Sequence, residues 1–351
     1  MGSRPRLREY ARPLRREHGA VQFGLSADAG LVVEGIHGAE LALLESLDGT
    51  RELGELRAAA SVAGLDPRRV EQLLAGLRAR GLLVERPSDT TELAPLAGGG
   101  GAAVRVLRER RAGEALALAY RAPGDGLTEL AGRRGRRVLV CGEGVVPDAL
   151  VAALRACGVG RVAVGAEATG EVLGRLADRA RPGAPGAAGV PARLPHVVVL
   201  TAVDALPIGS DTPWTPHGLV HLPVVVQGPR LLVGPLIVPG RGPCLRCLEL
   251  HRRDRDPSWP ALLTQIACRR PDVVEPAVDT DPALATVGAG LAAMVVGTHL
   301  DGRPVPDGVS LEVALPWPRV TQRGWSAHPR CTCAGSGTAG SWSRGQGTMG
   351  A

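Results

Sequence analysis

Two tight thiol pairs constrain this chain more than any other feature. Cys244 and Cys247 form a C-x-x-C inside a run rich in proline and glycine, and Cys331 and Cys333 form a C-x-C near the end of the chain. One pair from each end of a segment can close a tetrahedral site around Zn²⁺ without a disulfide. Such a site ties the last ordered residues back to the middle of the chain. With four thiolates it keeps no open position for water, so it stabilises a fold and does not act on substrate. Four unrelated thiols in a reduced protein are the competing reading; the closeness of each pair and the turn-forming residues around them favour the metal.

At 351 residues the chain has room for two domains with proper cores. Its 41 basic residues are all arginine, and neither lysine nor asparagine occurs. The net charge of +6 is modest for this length and the arginines are scattered, so they read as solvated side chains and nucleic acid is not a favoured partner. The charged N-terminus has no apolar run behind it, so no secretory signal is expected. The most apolar stretch, Pro282 to Leu300, is rich in Gly and Ala and interrupted by Thr286, Thr298 and His299. It is expected to be a buried helix and not a membrane span. Paired cysteines of this kind indicate a reducing cytoplasm.

From Val21 to about Glu85 the pattern is two strands and three short helices. Val21 to Leu25 and Leu31 to Glu34 flank Ser-Ala-Asp-Ala-Gly, a hairpin signal. Leu41, Leu44 and Leu47 then share a helical face, Thr50 is placed to cap a second helix carrying Leu53 and Leu56, and Asp66-Pro67 starts a third with Val70, Leu73, Leu74 and Leu77 on one side. Gly81 stops it before a short strand, Leu82 to Val84. A winged-helix-like α+β domain over residues 1–90 is expected. With its runs Val21–Leu25, Leu43–Thr50 and Leu77–Leu83, it resembles the peptide-recognition domain of ribosomally made natural-product pathways. That resemblance implies binding of a precursor's leader peptide as an added strand beside the third helix. DNA-binding winged helices share much of this spacing, so a zinc-dependent regulator on DNA stays open as an alternative.

Residues 91–104, with four consecutive glycines, read as a linker. Beyond it, residues 105–333 carry the signs of a Rossmann-like sheet: a strand from Arg137 to Cys141, a turn at Gly142-Glu143-Gly144, a helix from Pro147 to Cys157, and a second strand from Arg161 to Val164. The nucleotide fingerprint is incomplete. Pro147 stands at the third glycine position, and Glu167 is out of register for gripping a ribose. Residues 165–195, rich in Gly, Ala and Pro, predict an irregular second crossover. Strands follow at His196–Leu200, Leu222–Val226 and Leu231–Val238, and then a helix from Pro257 to Arg270 with Trp259, Leu262, Leu263 and Ile266 inward. A helix from Asp281 to His299 and a strand from Val309 to Val313 come next, and residues 334–351 read as a disordered tail.

The runs Gly158–Val164, Val198–Asp204, Val233–Pro260 and His328–Cys333 resemble the E1-like (ThiF-type) superfamily, and within it the partner proteins of azoline-forming cyclodehydratases in bacteriocin-type pathways. The resemblance implies a zinc-stabilised E1/ThiF-type domain, a precursor leader peptide and a cyclodehydratase as partners, and a homodimer. ATP and Mg²⁺ are used by the cyclodehydratase in those pathways, and only Gly142, Gly144 and Asp204 here match the E1 nucleotide site. A non-catalytic leader-binding partner is therefore expected, with no catalytic residue; an active adenylyltransferase acting on a peptide or carrier C-terminus is the alternative. Cys268, helical and without a nearby His, reads as a core thiol and not as an E1-type nucleophile, and Cys141 and Cys157 read the same way.

Overall fold

The computed structural model of the protein describes residues 3–8, 11–25, 31–86, 127–180, 194–267 and 277–334. Cys268, the linker at 91–104 and residues 335–351 lie outside them. The chain forms two compact units, Met1–Gly132 and Arg133–Ala351.

In the N-terminal unit, β1 (Arg4–Leu7) pairs antiparallel with β5 (Leu83–Arg86), and β2 (Pro13–Arg15), β3 (Val21–Phe23) and β4 (Leu31–Val33) form an antiparallel sheet in that order. Three helices lie between the sheets in sequence: α1 (Gly38–Glu45), α2 (Leu53–Val62) and α3 (Pro67–Ala79). Asp66 caps α3 by accepting from the Arg68 N–H at 2.9 Å, with Pro67 at the first helical position, as expected. Val70, Leu73, Leu74 and Leu77 are all buried and join Phe23, Leu44, Leu56 and Leu82 in one core. Each such side chain contributes roughly 1.5–3 kcal/mol by leaving water. The expected cap at Thr50 is corrected: Glu52 takes the N-cap of α2 in a reciprocal box with Glu55, while the Thr50 hydroxyl turns to Asp48. Strands β1 and β2 escape a reading by hydrophobic pattern because arginine and proline fill five of their seven positions.

The C-terminal unit is built on a seven-stranded mixed sheet in the order β12-β11-β10-β9-β8-β6-β7. Strands β6 (Arg137–Cys141), β7 (Arg161–Val164), β8 (Val197–Val203) and β9 (Val220–Gln227) run parallel. Strands β10 (Arg230–Val233), β11 (Val309–Ala314) and β12 (Arg319–Gly324) extend the sheet antiparallel from β9. After α4 (Leu127–Arg133), helices α5 (Val145–Ala156) and α9 (Pro282–Leu300) share one core with Val138, Val140, Val197 and Val199. Helix α6 (Gly165–Ala180) and helix α7 (Leu245–Arg255) share the other with Leu139, Val198 and Leu200, the alternation that a sheet buried on both faces requires. Helix α8 (Trp259–Ala267) follows α7.

Two expectations are corrected here. The first half of the supposedly irregular crossover is the regular 16-residue helix α6, whose Val172 and Leu176 are buried at helical spacing. Gly170 and Gly174 meet nothing within 4 Å, so their cost of about 1 kcal/mol each in helix propensity is outweighed by the apolar stripe. The run before the C-x-x-C turns at Pro239 and Gly240, in keeping with its residues, and Cys244 is the N-cap of α7. In α8 only Leu263 is buried; Leu262 is 41% exposed, and Trp259 and Ile266 are partly covered. Helix α9 is long and apolar enough to cross a membrane by length and composition, but half of that window is buried, and Ala285, Ala289, Ala292 and Val296 lie in the core. Gly288 lets it approach β10: a Cβ there would stand 2.4 Å from a Leu231 methyl.

Candidate functional site

The four thiols of the two pairs come together. Cys244 is the N-cap of α7 and Cys247 lies one turn in, so their spacing puts both sulfurs at the helix head, where the backbone favours thiolate charge. Cys331 and Cys333 arrive from the segment after β12. The Sγ atoms stand 3.8 Å apart for Cys244 and Cys247, 3.6 Å for Cys244 and Cys331, and 3.2 Å for Cys247 and Cys333, and all four lie within 4.8 Å of one another. Zn–S bonds of about 2.3 Å at tetrahedral angles set sulfur–sulfur edges of about 3.8 Å. The donor set and its size therefore fit Zn²⁺.

The protonation balance agrees. Burial pushes the Cys244 thiol up to about 11, and burial with the adjoining thiols raises Cys333 as well. Burial also works against Cys331, yet the hydrogen bonds it receives from Cys333, Cys247 and Cys244 outweigh it and leave that thiol below its ordinary value. Burial thus opposes thiolate charge at Cys244 and Cys333, and a divalent cation would supply the charge that favours it.

A polar shell surrounds the cluster. The His328 N–H donates to Cys247 Sγ at 3.3 Å. The His328 ring is 3% exposed, with Nδ1 accepting from the Arg330 N–H at 3.1 Å and Nε2 bonded to Asp254 at 2.8 Å. Arg330 also pairs with Asp254, and His251 packs edge-on against His328 with ring centroids 4.7 Å apart. The His328 bond, then the arginine, hold the Asp254 carboxyl below its ordinary range. Asp254 and Arg255 lie in the last turn of α7, and Asp256 beyond it leads into α8 by accepting from the Ser258 N–H at 2.9 Å.

The nucleotide candidates are distributed differently. Gly142 and Gly144 lie on the turn between β6 and α5 with φ of 110° and 112°, a region closed to most other residues. Asp204, also at positive φ, follows β8 and is tied to β9 through Val226 and Gln227. It lines a cavity of about 620 Å³ together with Gln227, Arg246, Arg253, Trp259 and Leu263. Neither Gly142 nor Gly144 is among the residues that line that cavity. Across the glycine turn lies the segment Ala277–Asp279 instead. The Val145 N–H donates to Asp279 Oδ1 at 2.8 Å, the Val146 N–H to the Val278 carbonyl at 3.1 Å, and the Val278 N–H to the Glu143 carbonyl at 2.7 Å. Sequence reasoning assigned no site role of their own to Asp279, Asp254 and His328, since each acquires its partner only in the folded chain.

No protein-family model matches the chain, and no curated protein does. Solved structures do. The heterocyclase TruD aligns with a TM-score of 0.59 and 16% identity over 94% of this chain and 42% of its own, so the chain spans less than half of that protein. MccB of E. coli aligns with a TM-score of 0.58 and 13% identity over 97% of this chain and 99% of its own. A structure of MccB with AMPCPP and MccA gives a TM-score of 0.60 at 13% identity, over 95% and 99% of the two chains. At these identities the likeness establishes the fold: the chain shares the α/β architecture of the heterocyclase TruD and of MccB.

Proposed function

We propose that this chain is a leader-peptide-binding, non-catalytic E1-like partner of an ATP-dependent azoline-forming cyclodehydratase in ribosomal peptide natural-product biosynthesis, working in the cytoplasm. The observation that carries the reading is the extent of the likeness. Nearly the whole chain follows a stretch of a heterocyclase and the whole of MccB, a protein also crystallised with the peptide MccA. In this reading the N-terminal unit is the winged-helix-like recognition domain. Among the described residues its strand β4 pairs only with β3, and Val32 is 45% exposed, an arrangement suited to an added leader strand. The C-terminal unit holds structural zinc at Cys244, Cys247, Cys331 and Cys333. A homodimer contact belongs on the exposed stripe of α9, at Val287 and Met294. Tethering the leader raises the effective concentration of the precursor core at the partner enzyme.

The test is fluorescence anisotropy of a labelled precursor leader from the same biosynthetic cluster. Binding to the full chain that weakens at least tenfold in Val32→Asp supports the reading. Equal binding by wild type and variant removes β4 as the docking edge, and no binding to any leader from the cluster removes the function.

One observation favours a second reading. MccB, matched over its entire length, is also described in complex with ATP. An adenylyltransferase acting on a peptide or carrier C-terminus would show ATP–pyrophosphate exchange that Asp204→Ala abolishes.

A further inference from the structure

We infer that Asp279 closes the anion site at the head of α5, so that the glycine turn accepts no nucleotide phosphate. A helix N-terminus after a glycine turn offers free N–H groups to a phosphate. Here none of the first four positions of α5 has one left to offer. Val145 gives its N–H to the Asp279 carboxylate, and Val146 gives its own to the Val278 carbonyl. Pro147 has no N–H, and Asp148 bonds back to the Gly144 carbonyl. The carboxylate occupies the place where an anion would sit and supplies the negative charge that the helix end favours.

The glycines fit this occupant. A Cβ on Gly144 would stand 2.6 Å from Asp279 Oδ1 and 2.7 Å from the Val278 N, and one on Gly142 would meet the Thr201 hydroxyl at 2.2 Å and a Val278 methyl at 3.6 Å. Both residues are therefore needed for the chain's own close approach as well as for their positive φ. The closing segment is also anchored. Val278 is 5% exposed within the core shared by α5 and α9, and two residues after Asp279, Asp281 caps α9 through the Ala283 and Leu284 N–H groups at 2.9 and 3.0 Å. Removing the segment from the turn would uncover core and undo bonds at two helix ends. Asp279 is thus a specificity-determining residue: it converts a phosphate-binding turn into a structural one. The inference deepens the non-catalytic reading and rests on it, while leader binding through the N-terminal unit is tested separately.

The experiment uses the full-length, zinc-loaded protein with Mg·ATP and inorganic tripolyphosphate as probes, followed by calorimetry and by amide hydrogen exchange across residues 141–148. In the wild type, neither probe should slow exchange there. Asp279→Ala should bind tripolyphosphate at least tenfold more tightly than wild type and gain protection at Val145. Asp279→Asn, whose amide oxygen still accepts from Val145, should behave as wild type. Protection of residues 141–148 by either probe in the wild type would overturn the inference, as would Asp279→Ala binding no tighter than wild type. Should that variant fail to fold, the wild-type exchange alone decides between these outcomes. Mg·ATP binding without protection at the turn places the nucleotide elsewhere and upholds the closure.

Discussion

Arg133 and Asp301 meet inside the C-terminal unit as a two-pronged ion pair, Nε to Oδ1 at 2.7 Å and Nη2 to Oδ2 at 2.6 Å, with the side chains 5% and 2% exposed. The remaining arm of Arg133 bonds the Cys157 carbonyl at 2.8 Å, so one guanidinium joins the C-terminal ends of α5 and α9. Gly297 leaves room for it, since a Cβ there would lie 2.8 Å from Nη2. A buried charge without its partner is far costlier than the pair itself. Asp301→Ala should therefore lower unfolding free energy by about 3–5 kcal/mol in denaturant titration. The double replacement Arg133→Met with Asp301→Leu should cost much less, and an equal cost for both would refute the pairing as the cause.

Metal content should be one Zn²⁺ per chain, and Cys247→Ser should lose it together with thermal stability. The polar shell should set how firmly the ion is held. Asp254→Asn or His328→Ala is expected to weaken zinc about 10-fold in competition with a chromogenic chelator, the lower end of the range for groups behind the ligands, because both act on Cys247 only by positioning the His328 main-chain N–H. Cobalt substitution gives the independent readout, because thiolate charge-transfer bands should persist in both variants and vanish only in the cysteine replacements.

His221 is fully buried, and its Nδ1 is bonded to the Leu219 carbonyl at 3.0 Å while Nε2 has no partner among the described residues. Burial holds its pKa below the ordinary value of 6.5. A histidine depressed in the folded state contributes stability above its unfolded pKa, and that contribution is lost as pH falls through the folded value. His299 and His196 shift in the same direction for the same reason. Stability should therefore decline as pH falls below about 6.5, and His221→Gln should flatten this decline without abolishing it. An unchanged slope would show that His221 does not titrate between the two states.

Glycine replacements should separate two uses of the same residue. Gly170→Ala and Gly174→Ala lie on the open face of α6, where each should add about 0.5–1 kcal/mol. Gly144→Ala, at φ 112° and pressed against Asp279, should destabilise by well over 1 kcal/mol. Thermal melts of the three variants would check the contrast, and a neutral Gly144→Ala would mean that the closing segment moves aside at little cost.

The elements that could be read in advance were those in which local pattern and final environment agree. Asp66-Pro67 and the leucines behind it specified α3 because cap, fixed φ and apolar stripe all act within a few residues. The parallel strands β6 and β8 were legible as continuous valine and leucine runs, since both their faces are buried. The thiol spacing likewise announced a four-sulfur cluster, because zinc demands donors more than any particular surroundings. By contrast α6, half glycine and alanine by appearance, became a helix through burial of Val172 and Leu176 against a sheet that no local window contains.

The remaining features depend on residues far apart in sequence. Asp254 is 74 residues from His328, Arg133 is 168 from Asp301, and Asp279 is 134 from Val145. A carboxylate's partner is chosen by which donors the folded backbone leaves unsatisfied beside it, and that is known only once the sheet and helices have packed. The glycine turn shows the division most plainly. Composition and spacing established that the chain would make the turn, while tertiary structure placed Asp279 on it, because the helix head needed acceptors and this carboxylate lay within reach.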